Sequence, residues 1–266
     1  MELDNQGLMS VIDKNARKKD HLFTHSIPKY MVRAFFSGMF LTIGTAIAVM
    51  VGDKGNHIDP SLGKFFYSFM FSWSLVMIIY MDAELGTSNM MYMTAGMHRR
   101  VVSPKRASQI LLTCIVCNLV GGIISAWLIS QTSTFQQLAG DHYLYTTVTA
   151  KLSKTTSQIL AEGIFANIIV NTAIIASARM KDDAGKLFAI VFIVFIFAFL
   201  GFEHVIANFS SFAMAFFSNG GMIEGMSVLA VLKNWLFALI GNYVGGGLLI
   251  GLLYSWLNKG ETVYFD

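Results

Sequence analysis

Glu203 and His204 stand side by side in GFEHVIANFSSF (201–212), directly after a fourteen-residue run without a charge, LFAIVFIVFIFAFL (187–200). An imidazole is the side chain whose ordinary pKa lies near neutrality, so it can lend a hydrogen bond or move a proton at physiological pH. A carboxylate beside it can accept backbone N–H groups left free where a helix is interrupted. A metal site is the weaker reading, because adjacent residues do not chelate as an i, i+4 pair does and HExxH is absent. A catalytic pair would need a nucleophile or a metal set converging on it, and none is evident. A satisfied core histidine is the bland alternative. A second acidic pair, Asp82 and Glu84, interrupts another apolar stretch in YMDAELGTSNMMYM (80–93). Cys114 and Cys117 form a CxxC on one helical face, which reads as packing more readily than as a redox or zinc centre. No nucleotide-binding motif is present, so transport driven by ATP is not expected, and no metal or cofactor is called for.

The elements that must position these groups are membrane helices. Of 266 residues, 55% are hydrophobic and 13% charged, against about 25% charged in soluble domains. Charges sit in short clusters between apolar blocks at roughly 30–51, 65–97, 106–130, 156–179, 187–218 and 227–257, which predicts six spans. The polar start MELDNQGLMS gives no sign of a cleaved leader. With the N-terminus in the cytoplasm, 14 of the 19 Lys and Arg residues fall on the inner side and 5 on the outer, as the positive-inside rule requires. The net charge of +3 therefore reports topology, and nucleic acid is not an expected partner. The expected location is the inner (cytoplasmic) cell membrane, with both termini cytoplasmic. Residues 1–29 form an N-terminal segment whose stretch 8–23 has the pattern of an amphipathic helix at the inner surface. The channel domain is 30–258 and the tail 259–266. The longest connection, about 131–155, reads as a small external loop.

Two blocks are too long for one crossing. Residues 187–217 as a single helix would run about 46 Å, against a hydrocarbon core of about 30 Å. Both long blocks carry their acidic residues in the middle, so both read as broken helices. Irregular backbone at membrane depth must be sheltered or line a wet cavity, and ionisable groups there are usually functional. The halves also match in order: Gly38-Met-Phe40 with Gly163-Ile-Phe165, Glu84-x4-Asn89 with Glu203-x4-Asn208, and Asn118-Leu-Val-Gly-Gly122 with Asn242-Tyr-Val-Gly-Gly246. Three spans per half make this an inverted repeat, about 30–130 and 156–257, with a broken helix in the middle of each (spans 2 and 5). A permeant route is expected near the midplane, between the breaks. Glu84, Asn89, Asn208 and Glu203 are expected to hold the breaks, the carboxylates by accepting backbone N–H groups. Asn118 and Asn242 either cap the broken helices or bond across helices. Glycines 241, 245, 247 and 251 read as close helix packing.

GFEHVIAN (201–208) resembles the signature of the formate/nitrite transporter family. GNYVGGGLLIGLLY (241–254) resembles its last span, EGIFANIIVNTAIIASAR (162–179) its fourth and ELGTSN (84–89) its first break; the likeness runs from about Phe35 to Trp256. The resemblance implies an all-α membrane protein, a homopentamer with one pore in each aquaporin-like protomer, passing small monovalent anions or their acids: formate, nitrite, hydrosulfide, lactate or acetate. It places His204 at the pore centre, Asn167 near it, Thr87 opposite and Lys151 in the outer vestibule. Constriction residues map to Leu85, Val170 and Phe197. One departure stands at Gly86, where the family's formate channels commonly carry Phe; the missing ring is expected to widen the inner constriction and admit lactate or acetate. The expected mechanism has Lys151 attract the anion, a dry constriction reject hydrated cations, and His204 hydrogen-bond or protonate the anion with Asn167 fixing the ring. A water or neutral-solute channel of aquaporin type is the runner-up. It lacks its paired Asn-Pro-Ala motifs here, since Pro28, Pro60 and Pro104 are the only prolines and none lies in a break.

Overall fold

The computed structural model describes residues 7–258; the expected tail 259–266 lies outside the described residues. Helix α1 spans Leu8–His25, α2 Ile27–Asn56, α3 Pro60–Phe71, α4 Trp73–Tyr80, α5 Gly86–His98 and α6 Pro104–Ser130. After a 3₁₀ turn at Phe135–Gln137 come α7 Tyr143–Leu152, α8 Thr156–Arg179, α9 Asp183–Leu200 and α10 Val205–Ser218. Helix α11, Val228–Asn242, runs through a π-helical stretch, Tyr243–Leu252, into α12, Leu253–Leu257. Among the described residues, six helices are long and apolar enough to cross a membrane: 27–56, 60–80, 104–130, 156–179, 183–200 and 228–257.

Local sequence sets the helix starts. Asp59, Ser103, Thr155, Asp182 and Ser227 each accept a backbone N–H from the first turn of the helix they precede, satisfying donors that a membrane helix cannot leave bare. All three prolines sit in a first helical turn, at α2, α3 and α6, where a missing N–H is harmless.

Both long apolar blocks are interrupted where the acidic residues lie. Helix α4 ends at Tyr80 and α5 begins at Gly86, with Leu85 extended between them. Helix α9 ends on Gly201, whose φ of +74° is the left-handed geometry that a side chain disfavours. The chain stays non-helical to His204, which is itself extended and caps α10.

Small residues let the long helices cross closely. A Cβ at Gly38 on α2 would stand 2.1 Å from the Asn118 carbonyl oxygen on α6. A Cβ at Gly245 would stand 2.1 Å from the Ile164 carbonyl oxygen on α8. One such crossing lies in each half of the chain.

Two expectations change. The segment 8–23 is a helix, but its apolar face is packed on the protein: Met9, Ile12, Ala16 and Phe23 are buried, and so is Lys19. Asp13 meets Arg99 in a two-pronged pair at 2.8 and 2.9 Å, which fixes α1 against the end of α5. The connection 131–155 is a packed cap, with α7 burying Leu144, Tyr145, Val148 and Leu152 beside Phe135, Phe212 and Met214.

Candidate functional site

Each break is held by an asparagine from a neighbouring long helix. Asn118 on α6 donates to the Glu84 carbonyl at 2.9 Å and to the Ala34 carbonyl at 2.7 Å, and its Oδ1 accepts the Gly86 N–H at 2.7 Å. Asn242 on α11 donates to the Glu203 carbonyl at 2.9 Å and to the Gly163 carbonyl at 2.8 Å, and its Oδ1 accepts the Val205 N–H at 2.9 Å. The open alternative for these asparagines resolves as both at once: they bond across helices, and in doing so satisfy the backbone of the breaks. An Asn242→Ala change leaves two buried backbone groups at the break, the Glu203 carbonyl and the Val205 N–H, without this partner. It is expected to destabilise the protein by about 3 kcal/mol, read as a lowered unfolding temperature in detergent; an unchanged temperature would deny the asparagine this role.

The carboxylates do something other than expected. Glu203 takes no backbone N–H in its hydrogen bonds. It accepts from Lys151 at 3.0 Å, Lys154 at 2.7 Å, Asn208 at 2.5 Å and Asn234 at 3.2 Å. Glu84 accepts from Lys19 of α1 at 2.6 Å and from Asn89 at 3.0 Å. The reason is stereochemical: the asparagines already occupy the exposed amides, so the carboxylates are free to hold ammonium groups. Glu203 is wholly buried and stands behind Lys151. Asn89 also meets Tyr30 Oη at 2.8 Å, and Asn208 meets Asn234 Oδ1 at 2.8 Å, so each Glu-x4-Asn pair closes a similar knot.

His204 is buried, with its ring tied at both nitrogens. Nδ1 accepts the Ala207 N–H at 3.2 Å and Nε2 lies 2.8 Å from Thr87 Oγ1. A backbone amide can only donate, so Nδ1 carries no proton here and the ring is the neutral Nε2–H form. The Phe197 ring lies 6.0 Å from the imidazole, centre to centre. Asn167 does not touch His204 in the hydrogen-bond pattern. It donates to the Thr87 carbonyl at 3.1 Å and the Asn242 carbonyl at 2.7 Å, so it fixes the backbone of Thr87, and Thr87 in turn meets the ring.

Cavities lie at both ends of α9. One, of about 290 Å³, is lined by Lys64, Lys151, Phe71, Phe197, His204 and Asn208 among others. The other, of about 580 Å³, is lined by Lys18, Lys19, Asp82, Glu84, Ser88 and Lys186 among others. Between them a space of about 10 Å³ is bounded by Phe71, Leu85, Val170, Val194, Phe197 and His204 among others. That is at most room for one water. Leu85, Val170 and Phe197 thus meet at one narrow point beside His204.

Gly86 does not. A Cβ there would face Ile115 Cγ1 at 3.0 Å, Asn118 Oδ1 at 3.1 Å and Ile206 Cδ1 at 3.5 Å, none of which bounds the narrow space. Gly86 serves the site through its N–H, which Asn118 accepts. Lys151 lies on α7, and burial pushes its ammonium below the ordinary lysine value while Glu203 pulls it back up.

Sequence reasoning missed Lys154, Asn234, Lys19 and Phe71. Lys19 carried a usable signal, since with Ile12, Ala16 and Phe23 it falls on the apolar face of α1. A lysine there is costly unless a carboxylate meets it.

A family model described as formate/nitrite transporter matches residues 6–256. A Bacillus subtilis chain described as an uncharacterized transporter, YwcJ, is 26% identical over 259 residues, covering 97% of this chain and 100% of its own. The nitrite transporter NirC of Escherichia coli is 26% identical over 240 residues, covering 90% and 87%. The formate-nitrite transporter of Plasmodium falciparum is 25% identical over 263 residues, covering 94% and 83%. Among solved structures, an FNT family ion channel superposes with a TM-score of 0.86 at 24% identity, covering 95% of this chain and 99% of its own. A pentameric formate channel with formate bound gives 0.74 at 22%, covering 86% and 96%.

Proposed function

The chain belongs to the formate/nitrite transporter family, and from that premise we propose that it is a pH-dependent channel for small monovalent anions, formate first, working as a homopentamer with one pore per protomer. The observation that carries this reading is His204 at the narrow point, its Nε2 on Thr87 Oγ1, between a cavity with lysines at one end of α9 and another at the other end. Pentameric assembly rests on the likeness to the pentameric formate channel.

The two halves are inverted repeats in this reading. The support is the like bonding of Asn118 with Glu84 and Gly86, and of Asn242 with Glu203 and Val205. The cavity at Lys64 and Lys151 is the outer vestibule and that at Lys18 and Lys19 the inner one, because the basic clusters at Arg99–Arg106 and Arg179–Lys186 belong in the cytoplasm. The protein then lies in the cytoplasmic membrane with residues 1–29 and 259–266 inside and the channel domain over 30–258.

A bare anion meets a large desolvation barrier at a gap this small and apolar, and its neutral acid a far smaller one. An anion entering from outside meets Lys151, then the imidazole. The neutral ring offers it Nε2–H, and Thr87 can rotate its hydroxyl to the same oxygen. Transferring that proton outright would require Nδ1 to be protonated first, which removes the cap on α10. The geometry therefore favours a histidine that donates a hydrogen bond while the permeating proton arrives through the outer vestibule from water. Asn167 and Asn171 hold Thr87 in place by its carbonyl. Nitrite, hydrosulfide and lactate are weak-acid anions for which the same route serves.

Isotope uptake into proteoliposomes, with formate, nitrite, lactate and hydrosulfide at two external pH values, tests the reading. Formate uptake is expected to rise as external pH falls, by no more than about tenfold per unit, because the anion moves with one proton. Permeation of glycerol with none of the anions would overturn it.

A further inference from the structure

We propose that Lys64 is the anion-entry site of the outer vestibule, ahead of Lys151; this rests on the channel reading above. Three ammonium groups stand around the vestibule and its wall: Lys64, Lys151 and Lys154. Two carboxylates answer them, Glu203 and Glu162. Lys151 pairs with Glu203 at 3.0 Å, and Lys154 bridges Glu203 at 2.7 Å and Glu162 at 2.5 Å. The side chain of Lys151 is 14% exposed. Its charge is largely met within the wall before any anion arrives.

Lys64 differs on each count. It lines the same cavity, it is exposed, and no carboxylate pairs with it among the described residues. Its ammonium stands 5.2 Å over the Phe199 ring, a contact that holds a cation without cancelling its charge. Lys233 also pairs with no carboxylate among the described residues, but it donates to the Lys154 carbonyl at 3.0 Å and does not line the cavity. The charge that remains to draw a carboxylate into the vestibule is therefore that of Lys64. Lys151 becomes the next station inward, where the anion competes with Glu203 for an ammonium already in place.

The position on the chain is consistent with this. Lys64 lies in the first turns of α3, whose N-terminus is capped by Asp59. A carboxylate drawn there has Phe71 and Phe197, the rings at the narrow point, further along the same cavity.

The test is formate uptake by the full-length protein in proteoliposomes, as a function of formate concentration, at ionic strengths of about 0.01 M and about 1 M. At low salt, Lys64→Gln is expected to raise the half-saturating concentration by about threefold, and Lys64→Glu by about tenfold, with the maximal rate kept. Both variants should lose most of the salt dependence that the wild type shows. Lys64→Arg should behave as wild type. Equal oligomer elution and unfolding temperatures show that the variants fold. If the wild type carries formate and Lys64→Gln matches it in half-saturation and salt dependence, the entry site is not Lys64. A fall in maximal rate alone would likewise overturn the proposal. A wild type that carries none of the tested anions defeats the channel reading, and this inference with it.

Discussion

Replacing His204 with Phe is expected to lower formate uptake by about a hundredfold or more, while the pH dependence that remains, set by the proton that moves with the anion, keeps its direction. Removing one pre-placed hydrogen-bond donor from a water-poor site costs a factor of about 10² to 10³. The phenyl ring removes two contacts at once. It withdraws Nε2–H from the narrow point, where Thr87 is left facing a hydrocarbon edge, and it withdraws the Nδ1 acceptor from the Ala207 N–H. The second loss is a helix cap, worth about 1 kcal/mol, so a slower channel could in principle be a damaged one. His204→Asn separates the two. Asparagine is among the best caps and can still accept the Ala207 N–H, but its shorter side chain stops short of the position of Nε2. The Asn variant is expected to match the wild type in unfolding temperature while its uptake falls as the Phe variant's does. Uptake by both variants at the wild-type rate would remove the imidazole from the mechanism.

Much of this arrangement could be read from the chain because membrane helices leave strong traces. The run 187–200 has no charge, and the following Gly-Phe-Glu-His stops it; length alone does not decide, since Ile27–Asn56 runs unbroken for 30 residues, but a Glu-His pair in the middle of an apolar block marks the break near Glu203. The three ordered matches between halves located the asparagines as well as the acids. The sequence was less informative about which polar group serves which. Spacing puts Glu203 and Asn242 at the break, but only the third dimension shows that Asn242 reaches the free amide first and leaves the carboxylate for lysines. Nor does spacing tell whether the Cβ of residue 86 points to the passage or behind it. Asn167, expected to fix the ring, bonds instead to the Thr87 backbone, whose side chain meets the ring.

The α7 cap was missed for a different reason. YLYTTVTAKL carries its apolar residues at Leu144, Val148 and Leu152, a helical spacing, but three threonines mask it as loop. That helix matters because Lys151 is on it. The outer lysine is thus held on a packed element whose position depends on contacts with Phe135, Phe212 and Met214.

Glu203 accordingly should be the residue whose loss destabilises the protein most. Its carboxylate is wholly buried and receives two ammonium groups and two amides. Removing one member of a buried charge set leaves the others uncompensated, at a cost of about 3–5 kcal/mol. Glu203→Gln keeps the size and an acceptor for Asn208, so the change isolates the charge. Lys154 retains Glu162 at 2.5 Å, whereas Lys151 loses the carboxylate to which it is paired. The penalty should therefore lie chiefly with Lys151, and a second substitution can relieve it. Lys151→Met alone is expected to cost less than Glu203→Gln, because Glu203 keeps Lys154. Lys151→Met combined with Glu203→Gln should be more stable than Glu203→Gln by about 1–2 kcal/mol, a coupling that independent sites do not show. Thermal unfolding of the three variants in one detergent measures it. If the double variant is as unstable as the sum of the singles, Lys151 and Glu203 do not form the pair that places the outer lysine, and the path from vestibule to imidazole would have to begin elsewhere.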